Sequence, residues 1–474
     1  MKTPSQNKRK KQYKISDVKP VDQMITGRAG LSLFARYLEK TGVVNKVLLP
    51  RFEVLKKNKK GTSIEETFKQ IFCFFMDGTA SHLSHFDHLS RDKAYAGLIG
   101  TGFENLISSH TAKRFFGNFD NPSYINEFRE SHLDLFIWRL SLNKPEVIVL
   151  DLDPMVMDND QAKKREGVKP TYKKRKGFNA LQLTYEGHLV DTILRSGEKH
   201  SNFGNSAQKI IEGAVRRIRA SYSRDVPIIV HMDSGFMDQK VFDDLEKLDI
   251  AYICGGKLYG DIIDKMAAIP ARNWNRYYGP GDIEDNRIWE YFEFGDRRGT
   301  WKKFRRAIFT RPMNERGATL FPFARPCQVI YTNLGQGNLA DKQLKEAGFE
   351  YLLKPEGIIH CYHDRGRSEL TFRTFKDFGS EQLPFKKFRN NNAYYHCMVL
   401  AFNLYECFKE DVCHDVVPIS SYPQTLRRKI IDIGAKLVIN SRNFVLSIPR
   451  AIFSALDFDT LWRRSNNPPR LLFE

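Results

Sequence analysis

Residues 146–153, EVIVLDLD, form the stretch that decides the fold, and a second stretch of the same character, VPIIVHMDSGF, occupies residues 226–236. Each is a short apolar, β-branched run that leads into Asp, which predicts a buried strand with an acid at its end. Between them, residues 177–197 (GFNALQLTYEGHLVDTILRSG) predict two strands joined by a Gly turn, and residues 205–225 predict a helix. Antiparallel strands followed by alternating helix and strand favour an α/β fold with a mixed sheet.

Other segments flank or interrupt this predicted core. Upstream, apolar positions recur at helical spacing, with Ser63 and Glu66 as a capping box, which predicts a helical region. Downstream, a segment that holds three of the five Trp predicts a β-rich insertion. The predicted organisation is a basic disordered tail (1–20), a helical DNA-binding region (21–144), the first part of the core (145–271), the insertion (272–324), the second part of the core (325–410) and a C-terminal region (411–474).

The charge of the chain favours a polyanionic partner. The 75 Lys and Arg outnumber the 56 Asp and Glu, which gives a formal net charge of +19. Basic side chains that neutralise phosphates release condensed counterions, so nucleic acid is the favoured partner. The seven Cys include no Cys-x-x-Cys pair, which argues against a disulfide framework or zinc finger and favours a reducing compartment.

Several other classes of protein are disfavoured. No apolar run of 18 or more residues occurs, so no spanning helix is predicted, and the N-terminus lacks the apolar stretch of a secretory signal. We therefore expect a cytoplasmic protein without a membrane partner. The chain also lacks a Gly-x-Ser-x-Gly elbow, a Walker-type phosphate loop and a His-Glu-x-x-His motif.

Three acids stand out by their position in the sequence. Asp153 and Asp233 end the two apolar strands, and Glu369 lies on a predicted helix over residues 362–376. Phosphoryl transfer on DNA needs divalent ions held by hard oxygen ligands, and carboxylates that converge at one end of a sheet meet that need. The alternative is that strand-end acids are solvated or cap helices. Asp151 competes with Asp153, because positions i and i+2 of a strand point to the same side.

The predicted helix carries the most specific pattern in the chain. Tyr362, Arg365, Glu369 and Lys376 follow the spacing Tyr-x2-Arg-x3-Glu-x6-Lys. At about 100° per residue the four positions fall within an arc of roughly 60° on one helical face. Such a stripe would place an acid for metal beside cations for phosphates. The alternative is a solvated face, since Arg365 and Glu369 can also form an i,i+4 ion pair.

This pattern resembles the signature of bacterial insertion-sequence transposases with a β-rich insertion. The segments VLDLD, DSGF, NLY at residues 403–405 and LRRKIIDIGAKLVINSRNFVLSIP at 426–449 resemble insertion-sequence family 1380. The resemblance implies a ribonuclease-H-like core, in which Asp153, Asp233 and Glu369 bind Mg²⁺ or Mn²⁺. Relatives usually have Thr or Ser shortly after the first Asp, whereas Pro154 and Met155 follow Asp153 here.

The same resemblance implies the activity and the partners. The enzyme would bind terminal inverted repeats of double-stranded DNA as a dimer, cleave by water attack and join the 3′-OH ends to target DNA. Tyr362, Arg365 and Lys376 would hold the phosphates near the cleaved end. Two alternatives stay open, namely a ribonuclease-H-like nuclease that cuts without joining and a domesticated DNA-binding regulator.

Further DNA contacts are predicted outside the signature. In relatives an insertion-domain Trp receives a flipped base, and Trp289 or Trp301 could do so here, although burial in a β-domain core is the commoner role of Trp. A short helix that carries Lys113 and Arg114 ahead of a Phe pair could enter a DNA groove. The basic run at residues 173–176, which includes Lys174 and Arg175, either tracks the DNA backbone or is a solvated loop.

Overall fold

A mixed β-sheet runs through the middle of the chain. The computed structural model describes residues 14–56, 60–162, 164–279, 288–313, 327–440 and 443–471, so most of the predicted basic tail and parts of the predicted insertion lie outside the described residues. The strands are β1 (Met24–Thr26), β2 (Ile148–Asp158), β3 (Lys169–Pro170), β4 (Lys176–Tyr185), β5 (His188–Ile193), β6 (Ile228–Met232), β7 (Ala251–Gly255), β8 (Asn275–Tyr277), β9 (Ile288–Asp296), β10 (Arg305–Met313), β11 (Gln328–Thr332), β12 (Ala435–Asn440) and β13 (Asn443–Ser447).

The helices lie around this sheet, and those that come before it in the sequence form a separate layer. They are α1 (Leu31–Thr41), α2 (Leu49–Phe52), α3 (Ile64–Asp77), α4 (Phe86–Leu89), α5 (Lys93–Leu98), α6 (Ser109–Gly117), α7 (Ser123–Asn143), α8 (Ser206–Ser221), α9 (Gln239–Lys247), α10 (Gly260–Ala267), α11 (Leu339–Glu346), α12 (Pro355–His363), α13 (Gly366–Phe378), α14 (Phe388–Phe408), α15 (Pro423–Leu426), α16 (Arg450–Ala455) and α17 (Phe458–Asn466). Among the described helices, none is long and apolar enough to cross a bilayer.

The large sheet has parallel strands at its centre. Its order is β3-β4-β2-β6-β7-β11-β10-β9-β8, and β5 pairs with β4 beside this path. The pairs β2–β6 and β6–β7 are parallel, whereas β2–β4, β4–β5 and β7–β11 are antiparallel. The α/β fold with a mixed sheet that the sequence predicts is confirmed. The strands of the predicted insertion, β8 to β10, extend this sheet through antiparallel pairing with β11.

The helical core is built around α14, which is buried along most of its length. Ser63 starts α3 as predicted, since its hydroxyl accepts the backbone N–H of Glu66 at 3.1 Å. Deep in this core, His132 of α7 and His396 of α14 are fully buried, and their facing ring nitrogens, Nε2 and Nδ1, lie 2.9 Å apart. Phe128 stacks on His396 at 5.6 Å between ring centroids.

Burial holds both of these histidines neutral. It lowers the pKa of His132 to about 3 and that of His396 well below its ordinary value, with nearby Arg129 contributing in the same direction. The two remaining ring nitrogens, Nδ1 of His132 and Nε2 of His396, have no hydrogen-bond partner among the described residues. An added proton would therefore create an unpaired charge inside an aromatic core.

A small sheet joins the two ends of the described chain. Its order is β1-β12-β13, and β1 pairs antiparallel with β12, Met24 opposite Leu437. Next to it, the backbone N–H of Ala29 donates to the carbonyl of Ile433 at 2.9 Å. Gly30 approaches the same segment so closely that a Cβ at this position would collide with the carbonyl of Ile430. Glycine is therefore required where α1 begins against the C-terminal segment.

Candidate active site

Two acids lie side by side where the parallel strands end. In the register of β2 and β6, Leu152 stands opposite Met232. The next residues along, Asp153 and Asp233, are therefore neighbours just beyond the last residue pair of these two parallel strands. Asp153 is 6% exposed and Asp233 is half-buried. Asp233 follows the end of β6 as predicted, whereas the strand-end position predicted for Asp153 is wrong, because β2 continues to Asp158 in antiparallel pairing with β4. The two acids come together where the parallel pairing of β2 and β6 ends.

Asp153 is held by two residues of one later segment. Its Oδ1 accepts Arg365 Nη1 at 3.3 Å, and its Oδ2 accepts the hydroxyl of Ser368 at 3.1 Å. Burial raises the pKa of Asp153 to about 7, and the charges of Asp233 and Asp151 add to this effect, while Arg365 and Ser368 oppose it. The carboxyl group is thus poised between its protonated and ionised forms near neutral pH.

Asp233 has weaker local support than Asp153. Its Oδ1 accepts the backbone N–H of Gly235 at 2.9 Å, which caps the short turn after β6. Burial raises the pKa of Asp233, and Arg365, the Gly235 N–H and Lys257 counteract the rise. Arg365 therefore lowers the pKa of both carboxyl groups, and it binds that of Asp153 directly.

Asp151 lies on the same side of β2 but has a partner of its own. Its Oδ1 lies 2.9 Å from His231 Nδ1, and His231 Nε2 lies 3.1 Å from the sulfur of Cys361. Although burial opposes it, the proximity of Cys361 and Asp151 raises the pKa of His231 to about 10. Asp151 is therefore paired with a buried imidazole, which favours Asp153 over Asp151 as the first catalytic acid.

The predicted helix over residues 362–376 is wrong in one respect, because it is two helices. Helix α12 ends at His363 and α13 begins at Gly366, so Arg365 precedes the first turn of α13. Gly366, a weak helix former, marks this break. The predicted common helical face therefore does not extend from Tyr362 to Glu369. The break lets Arg365 turn toward Asp153.

Tyr362 lies against the end of a neighbouring strand. A Cβ at Gly255, the last residue of β7, would collide with the Tyr362 hydroxyl oxygen. Burial raises the pKa of Tyr362, with Arg365 opposing and Asp233 and Asp153 contributing. The phenol is therefore neutral beside the two acids.

Glu369 lies exposed on the first turn of α13, one position after the Ser368 that binds Asp153. Its charge reaches the phenol of Tyr172, on the turn between β3 and β4, as do the charges of Asp153 and Asp233. The acids are not drawn into a preformed cage: within the described ranges, no three His, Cys, Asp or Glu side chains are grouped to hold a metal ion. The sequence predicts that three carboxyl groups converge. Asp153 and Asp233 are neighbours, and among the described residues Glu369 does not form a three-acid cluster with them.

Lys376 points away from this centre. Its Nζ lies 3.1 Å from Glu381 Oε2, and that carboxylate also accepts the backbone N–H of Asp158 at 3.0 Å. The lysine thus has a structural partner near the far end of β2. A role in holding phosphate stays a prediction.

The two candidate Trp residues have different surroundings. Trp301 is 7% exposed and packs edge-on against Phe242 and Tyr331 in the core, so it presents no free face for a base. This burial favours the core role of Trp301 over the base-receiving one, which stays a prediction. Trp289 is half-buried on β9, its ring 4.8 Å from that of His363.

The basic candidates are exposed. Lys113 and Arg114 face solvent on α6, while the Phe residues at 115 and 116 are buried, as expected for an amphipathic helix. In the turn before β4, Lys174 has a φ of 58°, and Arg175 lies 3.3 Å from Asp158. These positions are free to meet DNA, and their role stays a prediction.

Sequence reasoning missed the residues that connect the acids. Ser368 and His231 carry no pattern of their own, since a serine on a helix and a histidine in a strand are common. Tyr172 lies directly before the basic run, and an aromatic residue beside four cations is a signal that could have found it. Its position over the acids depends on how the β3–β4 turn folds back.

Comparison with known proteins now adds a family. No curated protein matches the chain. Among solved structures, a piggyBac transposase synaptic complex with hairpin DNA is similar at 12% identity, with a TM-score of 0.40, over 93% of this chain and 82% of that one. The family model for transposase DDE domain group 1 matches residues 11–465, nearly the whole length. The chain therefore belongs to the transposase DDE domain group 1 family.

Proposed function

We propose that this DNA transposase is of the insertion-sequence type, that it binds terminal inverted repeats, and that it cleaves DNA and joins the 3′-OH ends to a target. Asp153, Asp233 and Glu369 are the proposed catalytic acids. The observation that carries the proposal is a pair of carboxylates, one buried and one half-buried, where the parallel pairing of β2 and β6 ends, with Arg365 beside them.

The donor set fits a divalent cation. Asp153 and Asp233 supply hard oxygens, and burial together with their mutual repulsion raises the pKa of Asp153 to about 7. A nearby cation would relieve that repulsion, and Mg²⁺ and Mn²⁺ prefer such oxygens. These ions, when bound, supply a clamp for the attacking and leaving oxygens of an in-line displacement. Glu369 would complete the ligand set.

The surrounding residues have roles that follow from their charge. Arg365 neutralises the two carboxylates in the absence of DNA, and its guanidinium is suited to bind phosphate in two places at once. Tyr362 offers a neutral hydroxyl beside the acids and can donate a hydrogen bond to a phosphate oxygen. We propose both as phosphate-holding residues, with Lys376 at the outer end of α13.

The order of the sheet supports a ribonuclease-H-like core. An antiparallel unit of β5, β4 and β2 is followed by parallel β6 and β7, and the two acids lie just beyond the last β2–β6 residue pair. Because two DNA ends must be processed together, we propose a dimer on double-stranded DNA as the working form.

Cleavage of end-containing DNA with Mg²⁺ tests the proposed acids. Asp153→Asn, Asp233→Asn and Glu369→Gln should each lower the cleavage rate by about 10³-fold or more, because each removes a metal-binding oxygen charge. Asp151→Asn is the matched control, since it changes the neighbouring acid of the same strand face, and it should stay substantially active. Equal losses in all four variants would contradict the choice of Asp153 as the first acid.

Product analysis on a supercoiled plasmid separates the competing functions. A transposase gives joined products in which the 3′-OH of the donor is linked to plasmid DNA. Cut but unjoined ends would favour a nuclease. Sequence-specific binding without any metal-dependent nicking, unchanged by Asp233→Asn, would favour a DNA-binding regulator.

A further inference from the structure

An exposed aromatic ring, to which no predicted role was assigned, lies near the acids on the turn that also carries the basic run 173–176. Tyr172 is 60% exposed, and its hydroxyl donates to the carbonyl of Pro154 at 3.3 Å. Pro154 directly follows Asp153, so this contact ties the ring to the strand that carries the first acid. The side chain is anchored at its tip, and the Lys173 ammonium lies over one face of the ring at 5.9 Å from its centroid. Much of the ring is nevertheless exposed to solvent.

The turn that carries Tyr172 is well defined. The backbone N–H of Thr171 donates to the carbonyl of Arg175 at 2.9 Å, and the N–H of Lys174 donates back to Thr171 at 3.0 Å. The Thr171 hydroxyl adds a second bond to the same Arg175 carbonyl at 2.8 Å. A ring on such a turn loses little further freedom when it makes a contact, which favours binding.

The charges around the ring suit a nucleotide. Residues 173–176 are all basic and exposed, and they follow Tyr172 on the outer side of the turn. On the inner side, partial burial and the charges of Asp153, Asp233 and Glu369 raise the pKa of Tyr172 to about 12. The phenol therefore adds no negative charge where a phosphodiester would approach, and an aromatic ring interleaved with cations is typical of nucleic-acid surfaces.

We infer that Tyr172 is the platform on which the base next to the cleaved phosphodiester stacks, with the basic turn gripping the adjoining backbone. This inference rests on the proposed function. Stacking needs a flat, neutral, accessible face beside the reacting bond, and Tyr172 has one. Trp301 has none, because its ring is buried, and Trp289 is half-buried against His363.

Two substitutions separate the ring from its hydroxyl group. Tyr172→Phe keeps the face and loses the hydrogen bond to Pro154, whereas Tyr172→Leu keeps apolar bulk and loses the aromatic face. Because base stacking on an aromatic residue contributes about 1–3 kcal/mol, we expect cleavage of end-containing DNA to fall about 5- to 100-fold for Leu. The Phe variant should stay within about threefold of the wild type. Phe444→Leu, at an aromatic residue that is 48% exposed on β13 of the separate small sheet, is the matched control and should be unchanged.

A fluorescent base locates the contact directly. In the Asp233→Asn background, which leaves the DNA intact, 2-aminopurine is placed at successive positions across the cut site that the wild type defines. One position should be quenched on binding, with the quench kept in Tyr172→Phe and lost in Tyr172→Leu.

The outcomes separate this inference from the function on which it rests. Equal defects in Phe and Leu would mean that the hydroxyl only fastens the turn, and no defect in either would mean that the ring has no role. Either result overturns the inference, while cleavage and joining by the wild type uphold the transposase. A wild type that cuts no end-containing DNA would overturn both, and matching melting temperatures for all variants exclude misfolding as the cause.

Discussion

Two pairs of like titratable side chains, one histidine pair and one aspartate pair, have opposite electrostatic environments. His132 and His396 face each other across α7 and α14, both held neutral by burial, in an aromatic core. Asp153 and Asp233 are neighbours just beyond the last β2–β6 residue pair. They are like-charged groups, and burial raises the pKa of each. In the histidine pair, one ring nitrogen of each residue shares a hydrogen bond with the other residue, and neither ring is charged. This contact stabilises the fold. The second pair keeps unfavourable negative charge that a cation can relieve, which is typical of a reactive site.

The largest effect should come from removing one histidine of the first pair. His132→Ala leaves a cavity in the core and strands His396 Nδ1 without its partner, so we expect a loss of about 3–5 kcal/mol in the free energy of unfolding. Urea denaturation followed by circular dichroism measures it. A loss below about 1 kcal/mol would mean that the pair has no special place in the core.

The pH dependence of stability should follow from the same pair. The pKa of His132 is lowered to about 3 in the folded state, against an ordinary value near 6.5, so the unfolded chain takes up protons first as pH falls. The stabilisation is present above pH 6.5 and is lost below it, by about 2–4 kcal/mol between pH 7 and pH 5 for the two rings. The double variant His132→Phe/His396→Phe should show a flatter profile in the same pH window, and an unchanged slope would contradict this assignment.

The acid pair should respond with the opposite sign. With the pKa of Asp153 raised to about 7, the unfolded chain ionises at lower pH than the folded one, so stability falls as pH rises from about 4 to 7. Asp153→Asn should therefore raise the free energy of unfolding by about 1–3 kcal/mol at pH 8 in metal-free buffer. The gain should vanish near pH 4. A destabilised variant at pH 8 would show that Asp153 supports the fold.

The smallest effect concerns the fit of Tyr362 beside the acid pair. Gly255→Ala places a Cβ against the Tyr362 hydroxyl, and we expect a loss of about 1–2 kcal/mol in stability as the ring is displaced. Adding Tyr362→Phe removes the colliding oxygen and should recover most of the loss, which a double-mutant cycle measures. Additive losses would mean that the two residues do not share this contact.

Local pattern was enough for the parts of the site that lie on strands. The side-chain period of two put Asp151 and Asp153 on one face, and the apolar runs predicted two buried strands, because both signals are local to a few neighbouring residues. The Ser63 cap was also predictable, since a cap needs only neighbours three residues apart.

Contacts between distant segments could not be predicted in the same way. Whether Trp301 is buried depends on Phe242 and Tyr331, which the sequence does not place beside it. The break before Gly366 was visible only as a weak helix former, while its consequence, an arginine turned to Asp153, depends on where β2 lies. Tyr172 likewise gains its place from the fold of a turn over residues 18 positions away.

The small sheet has a consequence for the newly made chain. Met24 pairs with Leu437, so the first strand emerges more than 400 residues before the partner that completes it. At a translation rate of about 5–20 residues per second, on the order of half a minute passes between the synthesis of β1 and that of β12. During this interval β1 lacks the strand with which it pairs in the folded protein. This sheet can therefore close only after β12 has been translated, and a chain cut short by a stop codon before β12 cannot complete it.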